Sequence, residues 1–277
     1  MRSSAGMCGF GHQPTVARLR STRSSQRAVA ATLNAIVSSR LLPCPPASHS
    51  AAMAVNRGTS VLGPVRAGAL VGVVLAGGEG RRMGPGVAKP LRRLGSRPMI
   101  AHVIERLRPQ VMDLVVVAND PGFTRLGATV IPDPPDVRAA AEREGRRLGP
   151  LAGVLAGMEW AVAHQPHAGW ILSVPADVPL LPLDLTVRLC GLMHVPEPDV
   201  LAIRHGRRRH PAIAVWSVKL LPALRRAVLE EGVRRVEGFA ERHERAELAW
   251  PGPSGPFRNV NTPADLAALS SALRKRP

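Results

Sequence analysis

Residues 70–84 read LVGVVLAGGEGRRMG, and they carry the clearest indication of the fold. Its apolar beginning runs directly into glycines, which predicts a buried strand that enters a tight loop. Glycines in such a loop let backbone N–H groups approach phosphate oxygens, because no Cβ stands between them. The basic residues Arg81, Arg82 and Lys89 follow closely and can neutralise a triphosphate. The pattern therefore predicts a phosphate-binding loop at the end of a strand.

The spacing of this loop differs from that of the two best-known phosphate loops. No Lys-Ser or Lys-Thr pair follows the glycines. Gly78 and Gly80 begin a G-x-G-x-x-G pattern, but Gly84 lies one position too far to complete it. On loop chemistry alone, a tight strand-to-helix turn with solvated arginines remains an alternative interpretation.

Strand-like and helix-like stretches alternate after the loop. Further strands are predicted at residues 113–118, 128–131 and 169–174, and helices at residues 98–107 and 153–163. This alternation is typical of βαβ crossovers, so we expect an α/β fold with a Rossmann-like, mostly parallel sheet and helices on both faces. Ligands of such sheets bind beyond the carboxyl ends of the strands, which is where the polar residues of interest fall in this chain.

The second half of the chain is less regular. Residues 200–203 and 212–216 are apolar and flank the basic run 205–209, which predicts a hairpin with a basic turn. The elements expected after it are helices around 218–229 and 233–243, a short strand at 246–250 and a last helix at 262–273.

The formal net charge of +17 is divided between two parts of the chain. Residues 1–70 contain eight Arg and no Asp or Glu, whereas the rest carries 29 basic and 20 acidic residues. We predict that residues 1–69 are a disordered or mis-annotated basic extension and that residues 70–277 form the folded domain. An organelle transit peptide and a true start near Met53 are the alternatives that this composition leaves open.

Composition also limits the partners. The net positive charge of the chain after residue 70 suits an anionic small substrate as well as it suits nucleic acid. Aromatic residues make up only 3% and Tyr is absent, so the stacking platforms of RNA and single-strand readers are missing and nucleic acid is not expected. No apolar run of about eighteen residues lacks charge or Pro, so no membrane partner is expected. Three widely spaced cysteines form neither a metal pattern nor a disulfide framework, which favours a cytoplasmic protein.

Several motifs occur in one order along the chain. LAGG-x-x-x-RMG at residues 75–84 is followed by KPL at 89–91 and by LG-x-x-PMI at 94–100. This series resembles the MobA-type molybdenum cofactor guanylyltransferases, which belong to the nucleotide-diphospho-sugar transferase-like NTP transferases. The resemblance implies that nucleotide contacts come from Leu75, Ala76, Gly77, Gly78 and Lys89. Many members of that family carry Asp before the lysine, where this chain has Ala88.

Two segments further along resemble the nucleoside-binding part of the same family. Asn119, at the end of the second strand, resembles a nucleotide-contacting asparagine. Asp133, followed by GPLAG at 149–153, resembles an aspartate that binds the guanosine part of the nucleotide. The Arg/Glu-rich insert at 138–147 makes this region longer than usual, so Asp136 remains an alternative to Asp133.

Asp177, in the segment PADVP at 175–179, resembles the metal-binding aspartate of the family. Mg²⁺ takes few protein carboxylates and leaves its other positions to water and phosphate oxygens, so a single carboxylate at a strand end suits it. Taken alone, the same aspartate could equally cap a helix.

The last matching segments are HP at 210–211 and NVNTPADL at 259–266. His210 resembles a residue near the pterin acceptor, although packing on the hairpin turn explains it equally well. Asn259 and Asn261 resemble asparagines near the metal and the acceptor phosphate. Thr262, with Pro and Asp after it, also fits helix-start chemistry, which does not account for the two asparagines.

The resemblance spans about residues 70–273 and implies an enzyme. It would transfer GMP from GTP to the phosphate of molybdopterin (molybdenum cofactor), releasing pyrophosphate, with Mg²⁺ held by Asp177 and with Arg82, Lys89 and Asp177 as catalytic residues. A molybdoenzyme or another cofactor-biosynthesis protein is the further partner implied. The alternatives are a CTP-dependent cytidylyltransferase of the same family, a non-catalytic nucleotide-binding partner of molybdoenzymes, and an Arg-rich nucleic-acid binder.

Overall fold

The computed structural model describes residues 69–77, 81–84, 86–145, 149–193, 198–252 and 255–274. The predicted extension at 1–69 therefore lies outside the described residues, apart from Ala69. Gly78 of the predicted nucleotide loop lies outside them as well.

Nine strands and seven α-helices form the described part of the chain. The strands are β1 (Leu70–Leu75), β2 (Arg93–Leu94), β3 (Arg97–Pro98), β4 (Asp113–Val117), β5 (Thr129–Ile131), β6 (Trp170–Pro175), β7 (Val200–His205), β8 (Arg208–Ser217) and β9 (Arg245–Trp250). The helices are α1 (Met99–Leu107), α2 (Pro135–Arg143), α3 (Pro150–His164), α4 (Leu185–Cys190), α5 (Leu221–Leu229), α6 (Val236–Ala240) and α7 (Pro263–Arg274).

Seven strands form one sheet in the order β5-β4-β1-β6-β8-β7-β9. Neighbouring strands are parallel, except that β8 runs antiparallel to both β6 and β7. β2 and β3 form a separate two-stranded hairpin. The predicted mostly parallel sheet and the β7–β8 hairpin are confirmed.

Helices cover both faces of this sheet. Alternate residues of β1 face opposite ways: Leu70 and Val74 pack with α1 and α4, whereas Val71 and Val73 pack with α3, α5 and α6. Both sets of side chains are fully buried, as expected for a central strand of a parallel sheet. The carboxyl end of β1 is therefore held rigidly between two apolar layers.

Helix α3 lies unusually close to the sheet because glycines face it. A Cβ on Gly157 would stand only 2.4 Å from Val73 Cγ1, and a Cβ on Gly153 would stand 2.9 Å from Leu75 Cδ2. Real Cβ contacts are longer, so a side chain at Gly157 would collide with Val73, and one at Gly153 would force the end of the Leu75 side chain to move. The close packing brings the first turn of α3 against the end of β1.

Some boundaries differ from the expectations. Helix α3 begins at Pro150, three residues before the predicted start at 153, because Pro is well suited to a first helical turn. Helix α2, which the sequence does not predict, begins at Pro135 and extends into the insert at 138–147. The helix expected at 233–243 is only Val236–Ala240. Among the described residues, no helix combines the length and apolar character needed to cross a bilayer.

Candidate active site

A pocket of about 330 Å³ opens at the carboxyl ends of β1, β4 and β6. This is the edge at which ligands of such sheets bind. Its walls come from three strand ends, the first turn of α3, the Lys89 segment and the chain before α7. The lining residues are Leu75, Ala76, Gly77, Lys89, Pro90, Val117, Asp133, Gly149, Pro150, Gly153, Pro175, Ala176, Asp177, Ala212 and Asn259.

One side of the pocket carries a carboxylate bound to an ammonium group. Asp177 lies two residues after the end of β6, and its Oδ2 accepts a hydrogen bond in an ion pair with Lys89 Nζ. Its other oxygen, Oδ1, accepts a hydrogen bond from Asn259 Nδ2 at 3.0 Å. Lys89 Nζ also donates to Asn261 Oδ1 at 2.8 Å. Four of the predicted site residues therefore form one connected network.

The backbone around this network is fixed as well. The backbone N–H of Val260 donates to the carbonyl of Asp177 at 2.9 Å, which ties the two asparagine positions to the end of β6. Thr262 Oγ1 accepts from the backbone N–H of Asp265 at 3.1 Å, and Asp265 Oδ2 accepts from the backbone N–H of Thr262 at 3.0 Å. This capping box was predicted and is confirmed. It fixes the chain immediately after Asn261.

The opposite side of the pocket carries a carboxylate bound to an amide. Asn119 follows β4 and Asp133 follows β5, and Asn119 Nδ2 donates to Asp133 Oδ2 at 2.7 Å. Burial raises the pKa of the Asp133 carboxyl above its usual value, while the bond from Asn119 and the charge of Arg138 oppose that rise. Asp136, the alternative, lies on the outside of α2 in an ion pair with Arg225 and does not line the pocket.

The glycine loop contributes through its first residues. Leu75, Ala76 and Gly77 line the pocket, and Gly77 is exposed at its rim. Arg82, predicted to be catalytic, lies in a short 3-10 helix with its side chain exposed, and it is not among the lining residues.

His210 lies beside the pocket and does not line it. Its ring is buried in the hairpin and packs on Phe257 with a centroid distance of 5.4 Å. Burial, together with the nearby charges of Arg208 and His205, lowers the pKa of His210 to about 4. The neighbouring β8 residue Ala212 reaches the pocket instead.

The sequence motifs pointed to some lining residues without giving them a role. Gly149, Pro150 and Gly153 belong to the GPLAG segment, and they line the pocket as the first turn of α3. A Cβ on Gly149 would stand 2.5 Å from the carbonyl oxygen of Arg234, so the backbone passes too close for any other residue. Ala212 carries no chemical signal in the sequence that could have identified it.

Oxygen atoms around Asp177 fit a hard divalent cation. The ammonium of Lys89 contacts one carboxylate oxygen and one amide oxygen, and both are ligand types that Mg²⁺ accepts. Within the residues that the structure describes, no three His, Cys, Asp or Glu side chains converge on a metal position. A cation at Asp177 would therefore need further oxygens from water or from a bound phosphate.

Comparisons with known proteins find matches over most of the chain. The model of the MobA-like NTP transferase domain matches residues 72–246. A molybdenum cofactor guanylyltransferase of Rhodopseudomonas palustris (strain BisB5) is 47% identical over 206 residues, which is 73% of this chain and 93% of the relative. One of Cereibacter sphaeroides is 42% identical over 208 residues, 74% of this chain and 98% of the relative.

Solved structures share the fold at lower identity. The molybdopterin-guanine dinucleotide biosynthesis protein A of Archaeoglobus fulgidus has a TM-score of 0.56 at 23% identity and covers 74% of this chain and 100% of its own. A putative glucose-1-phosphate thymidylyltransferase of Bacillus anthracis also has a TM-score of 0.56, at 13% identity, covering 75% of this chain and 96% of its own.

Proposed function

The chain belongs to the MobA-like NTP transferase family of nucleotidyltransferases, and we propose that it transfers GMP from GTP to the phosphate of molybdopterin. The product would be the guanine dinucleotide form of the molybdenum cofactor, with pyrophosphate released. Relatives at 37–47% identity that bear the name molybdenum cofactor guanylyltransferase support the choice of substrates. A molybdoenzyme or another cofactor-biosynthesis protein is the proposed recipient of the product, and the cytoplasm is the proposed compartment.

The observation that carries this proposal is the pairing of two carboxylates across one pocket. Asp133 and Asp177 both line it, one held by the amide of Asn119 and the other by the ammonium of Lys89. The Asp133 carboxylate, which a neutral amide holds, suits the donor groups of a nucleoside. The other, with its cation, suits the charged phosphates. A nucleotide laid between them would have its two ends matched to different chemistry.

Asp133 supports nucleoside binding because an ionised carboxylate only accepts hydrogen bonds. Asn119 occupies a single lone-pair direction of Oδ2, so acceptor capacity remains for donors of the guanosine part. The amide also fixes the direction in which the carboxylate faces. Burial makes each such hydrogen bond stronger than it would be in water.

The phosphate end is supported by backbone and by charge. Gly77 gives phosphate oxygens access to the backbone at the end of β1. Lys89 supplies a mobile positive charge, and the N-terminal turn of α3 adds the partial positive charge of its helix dipole. Gly78 and Arg82, expected from the resemblance to contribute here, remain part of the proposal for the phosphate contacts.

We assign Mg²⁺ to Asp177, whose carboxylate is oriented by Asn259. Bound there, Mg²⁺ would neutralise charge on the phosphate oxygens around the reacting phosphorus. Asn261 lies on the same side, within reach of the Lys89 ammonium. The three side chains would thus hold the charged half of the nucleotide in a fixed position.

The transfer needs no covalent enzyme intermediate. An oxygen of the acceptor phosphate forms a bond to the α-phosphorus of GTP, and the bond from that phosphorus to the bridging oxygen of the β-phosphate breaks. Pyrophosphate leaves with the electron pair. The acceptor oxygen is already ionised, so no general base is required, and no histidine is found among the described lining residues. Catalysis then comes from positioning and charge neutralisation.

We propose that the acceptor enters from the side formed by Ala212 and Asn259. His210 would support this wall through its packing on Phe257, as a neutral buried ring.

The test is pyrophosphate release by the purified full chain with GTP, CTP or ATP, each with and without molybdopterin and Mg²⁺. We expect release only when GTP, molybdopterin and Mg²⁺ are all present. Preference for CTP would overturn the guanylyl assignment in favour of a cytidylyltransferase. A folded sample that binds GTP without any release would overturn catalysis and leave a nucleotide-binding partner.

A pair of aspartate variants, one inside the pocket and one outside it, distinguishes a specific role of Asp177 from the general effect of removing a negative charge. Asp177→Asn should abolish release, because the oriented carboxylate is lost. Asp184→Asn removes an exposed carboxylate paired with Arg188 outside the pocket, so its rate should stay near that of the unsubstituted chain. Equal rates for the two variants would contradict the assignment of Asp177.

A further inference from the structure

The Lys89 ammonium occupies the oxygens that the proposed metal would need. It contacts Asp177 Oδ2 and Asn261 Oδ1, while Asn259 takes the other carboxylate oxygen. From this we infer that Lys89 acts as a gate: in the nucleotide-free protein it excludes divalent cations from Asp177, and a bound triphosphate draws it away. The inference rests on the proposed function, because it uses the same nucleotide site.

Charge repulsion makes the two cations mutually exclusive. The site offers a single carboxylate, and no three His, Cys, Asp or Glu side chains of the described chain converge on a metal position. The side chains of Lys89 and Asp177 are only 12% and 15% exposed, so water and salt screen the repulsion poorly. A divalent cation placed against Asp177 would therefore have to displace the ammonium.

A triphosphate can relieve this exclusion. Its oxygens offer Lys89 a more highly charged partner than one carboxylate, and they also supply the ligands that the cation lacks. The flexible stem of lysine lets the ammonium move between two sets of oxygens. Metal and nucleotide would thus bind with positive coupling, with the same side chain serving both states.

Residue usage in the chain supports a specific need for lysine. The sequence contains 37 basic residues, of which only Lys89, Lys219 and Lys275 are lysines. Arginine would form a planar, two-pronged contact with Asp177 that is harder to release. A compact charge on a flexible stem is the better form for a group that must exchange partners.

The experiment measures Mn²⁺ binding to the nucleotide-free full chain, from the free Mn²⁺ signal in electron paramagnetic resonance. Lys89→Met should bind Mn²⁺ at least about tenfold more tightly than the unsubstituted chain, because the competing charge is gone. Lys219→Met, which removes an exposed lysine outside the pocket, should bind as weakly as the unsubstituted chain. The double variant Lys89→Met with Asp177→Asn should lose the gain, which locates the ion at Asp177.

A thermal measurement gives a second readout on the same samples. Without metal, Lys89→Met leaves the mostly buried Asp177 carboxylate without its counter-charge, so the variant's midpoint of unfolding should fall. Added Mn²⁺ should raise that midpoint in Lys89→Met and leave it nearly unchanged in the unsubstituted chain. This comparison holds even for a variant that is less stable than its parent.

Equal Mn²⁺ affinity of Lys89→Met and the unsubstituted chain would overturn the gate, whatever the activity. So would tight Mn²⁺ binding by the unsubstituted chain without nucleotide. Failure of the proposed function has a different signature: no pyrophosphate release with any nucleotide, while Lys89→Met still gains Mn²⁺ affinity. In that case the gate stands as a property of the site and the reaction assignment falls.

Discussion

Asn119 and Asp133 bind each other twice across the ends of β4 and β5. The amide Nδ2 of Asn119 donates to Asp133 Oδ2 at 2.7 Å, and its Oδ1 accepts from the backbone N–H of Asp133 at 3.0 Å. The second bond fixes the backbone of Asp133, and the first fixes its carboxylate. One amide side chain therefore sets both the position and the direction of the proposed nucleoside-binding group.

Replacing Asn119 should weaken nucleotide binding more than it slows the reaction. Asn119→Ala removes both hydrogen bonds that orient Asp133. We therefore expect KM for GTP to rise about ten- to hundredfold, with a smaller change in kcat. Steady-state pyrophosphate release measures both constants. Gln165→Ala is the control, since it removes an amide–carboxylate bond to Asp113 at the other end of β4. A similar rise in KM for the control would contradict a local role for Asn119.

Replacing Asp133 should weaken GTP binding and stabilise the folded protein at neutral pH. Its pKa in the folded protein lies above the ordinary 3.8, so its contribution to stability is full below 3.8 and is lost as pH rises through the folded value. Asp133→Asn should therefore be more stable than its parent at pH 7, equally stable near pH 3, and defective in GTP binding. Urea unfolding at both pH values tests this. Asp136→Asn, on the exposed face of α2, should change neither property much.

Replacing Asn259 should weaken Mg²⁺ binding at the proposed site. Asn259→Ala frees Oδ1 of Asp177, and loss of such a supporting bond typically lowers metal affinity about 10–100-fold. We expect the Mg²⁺ concentration for half-maximal rate to rise by about tenfold, with kcat largely recovered at saturating Mg²⁺. A loss of kcat that added Mg²⁺ cannot restore would show that Asn259 acts on the substrate instead.

A side chain at Gly157 should destabilise the protein while Val73 is present. The added methyl of Gly157→Ala would meet Val73, and overpacking of this kind costs about 1–3 kcal/mol in unfolding free energy, partly offset by the higher helix propensity of Ala. Gly238→Ala is a matched helical control with open space at its Cβ, and it should be neutral or stabilising. In the double variant with Val73→Ala, the two losses should be less than additive.

His210 should make the protein sensitive to mild acid. Its folded pKa of about 4 lies below the ordinary 6.5, so its contribution to stability is full above 6.5 and is lost as pH falls toward 4. His210→Gln should flatten the fall in unfolding free energy over that interval. His167→Gln, at an exposed position, should keep the parental profile. Identical profiles for the parent and His210→Gln would contradict this account.

The strands of the sheet could be predicted because each is marked by a short local pattern in the sequence. Each core strand is a short apolar run that ends in glycine, proline or a polar residue, and this pattern identified β1, β4, β5 and β6. The β2–β3 hairpin was not predicted, because strands of two residues are too short to show a periodic pattern. Helix α2 was not predicted, because its sequence carries many charged residues and only Val137 and Ala141 are buried.

The sequence motifs predicted several residues that line the pocket, but not how those residues contact one another. The motifs identified Lys89 and Asp177, but 88 residues separate them, and no local pattern indicates that they form an ion pair. The mutual binding of Asn119 and Asp133 likewise depends on two strands lying side by side. His210 shows the converse, because a polar residue in a motif is packed against Phe257 instead of lining the pocket.

The contact between Lys89 and Asn261 joins positions that are 172 residues apart. Ribosomes deliver a chain from its amino end, so the glycine loop and all seven strands of the sheet emerge before Asn261 does. A nascent chain can therefore assemble its sheet while the proposed catalytic centre is still incomplete. We expect polypeptides released early, just after β9, to be inert even when their sheet is formed, so that only a nearly completed molecule can consume nucleotide.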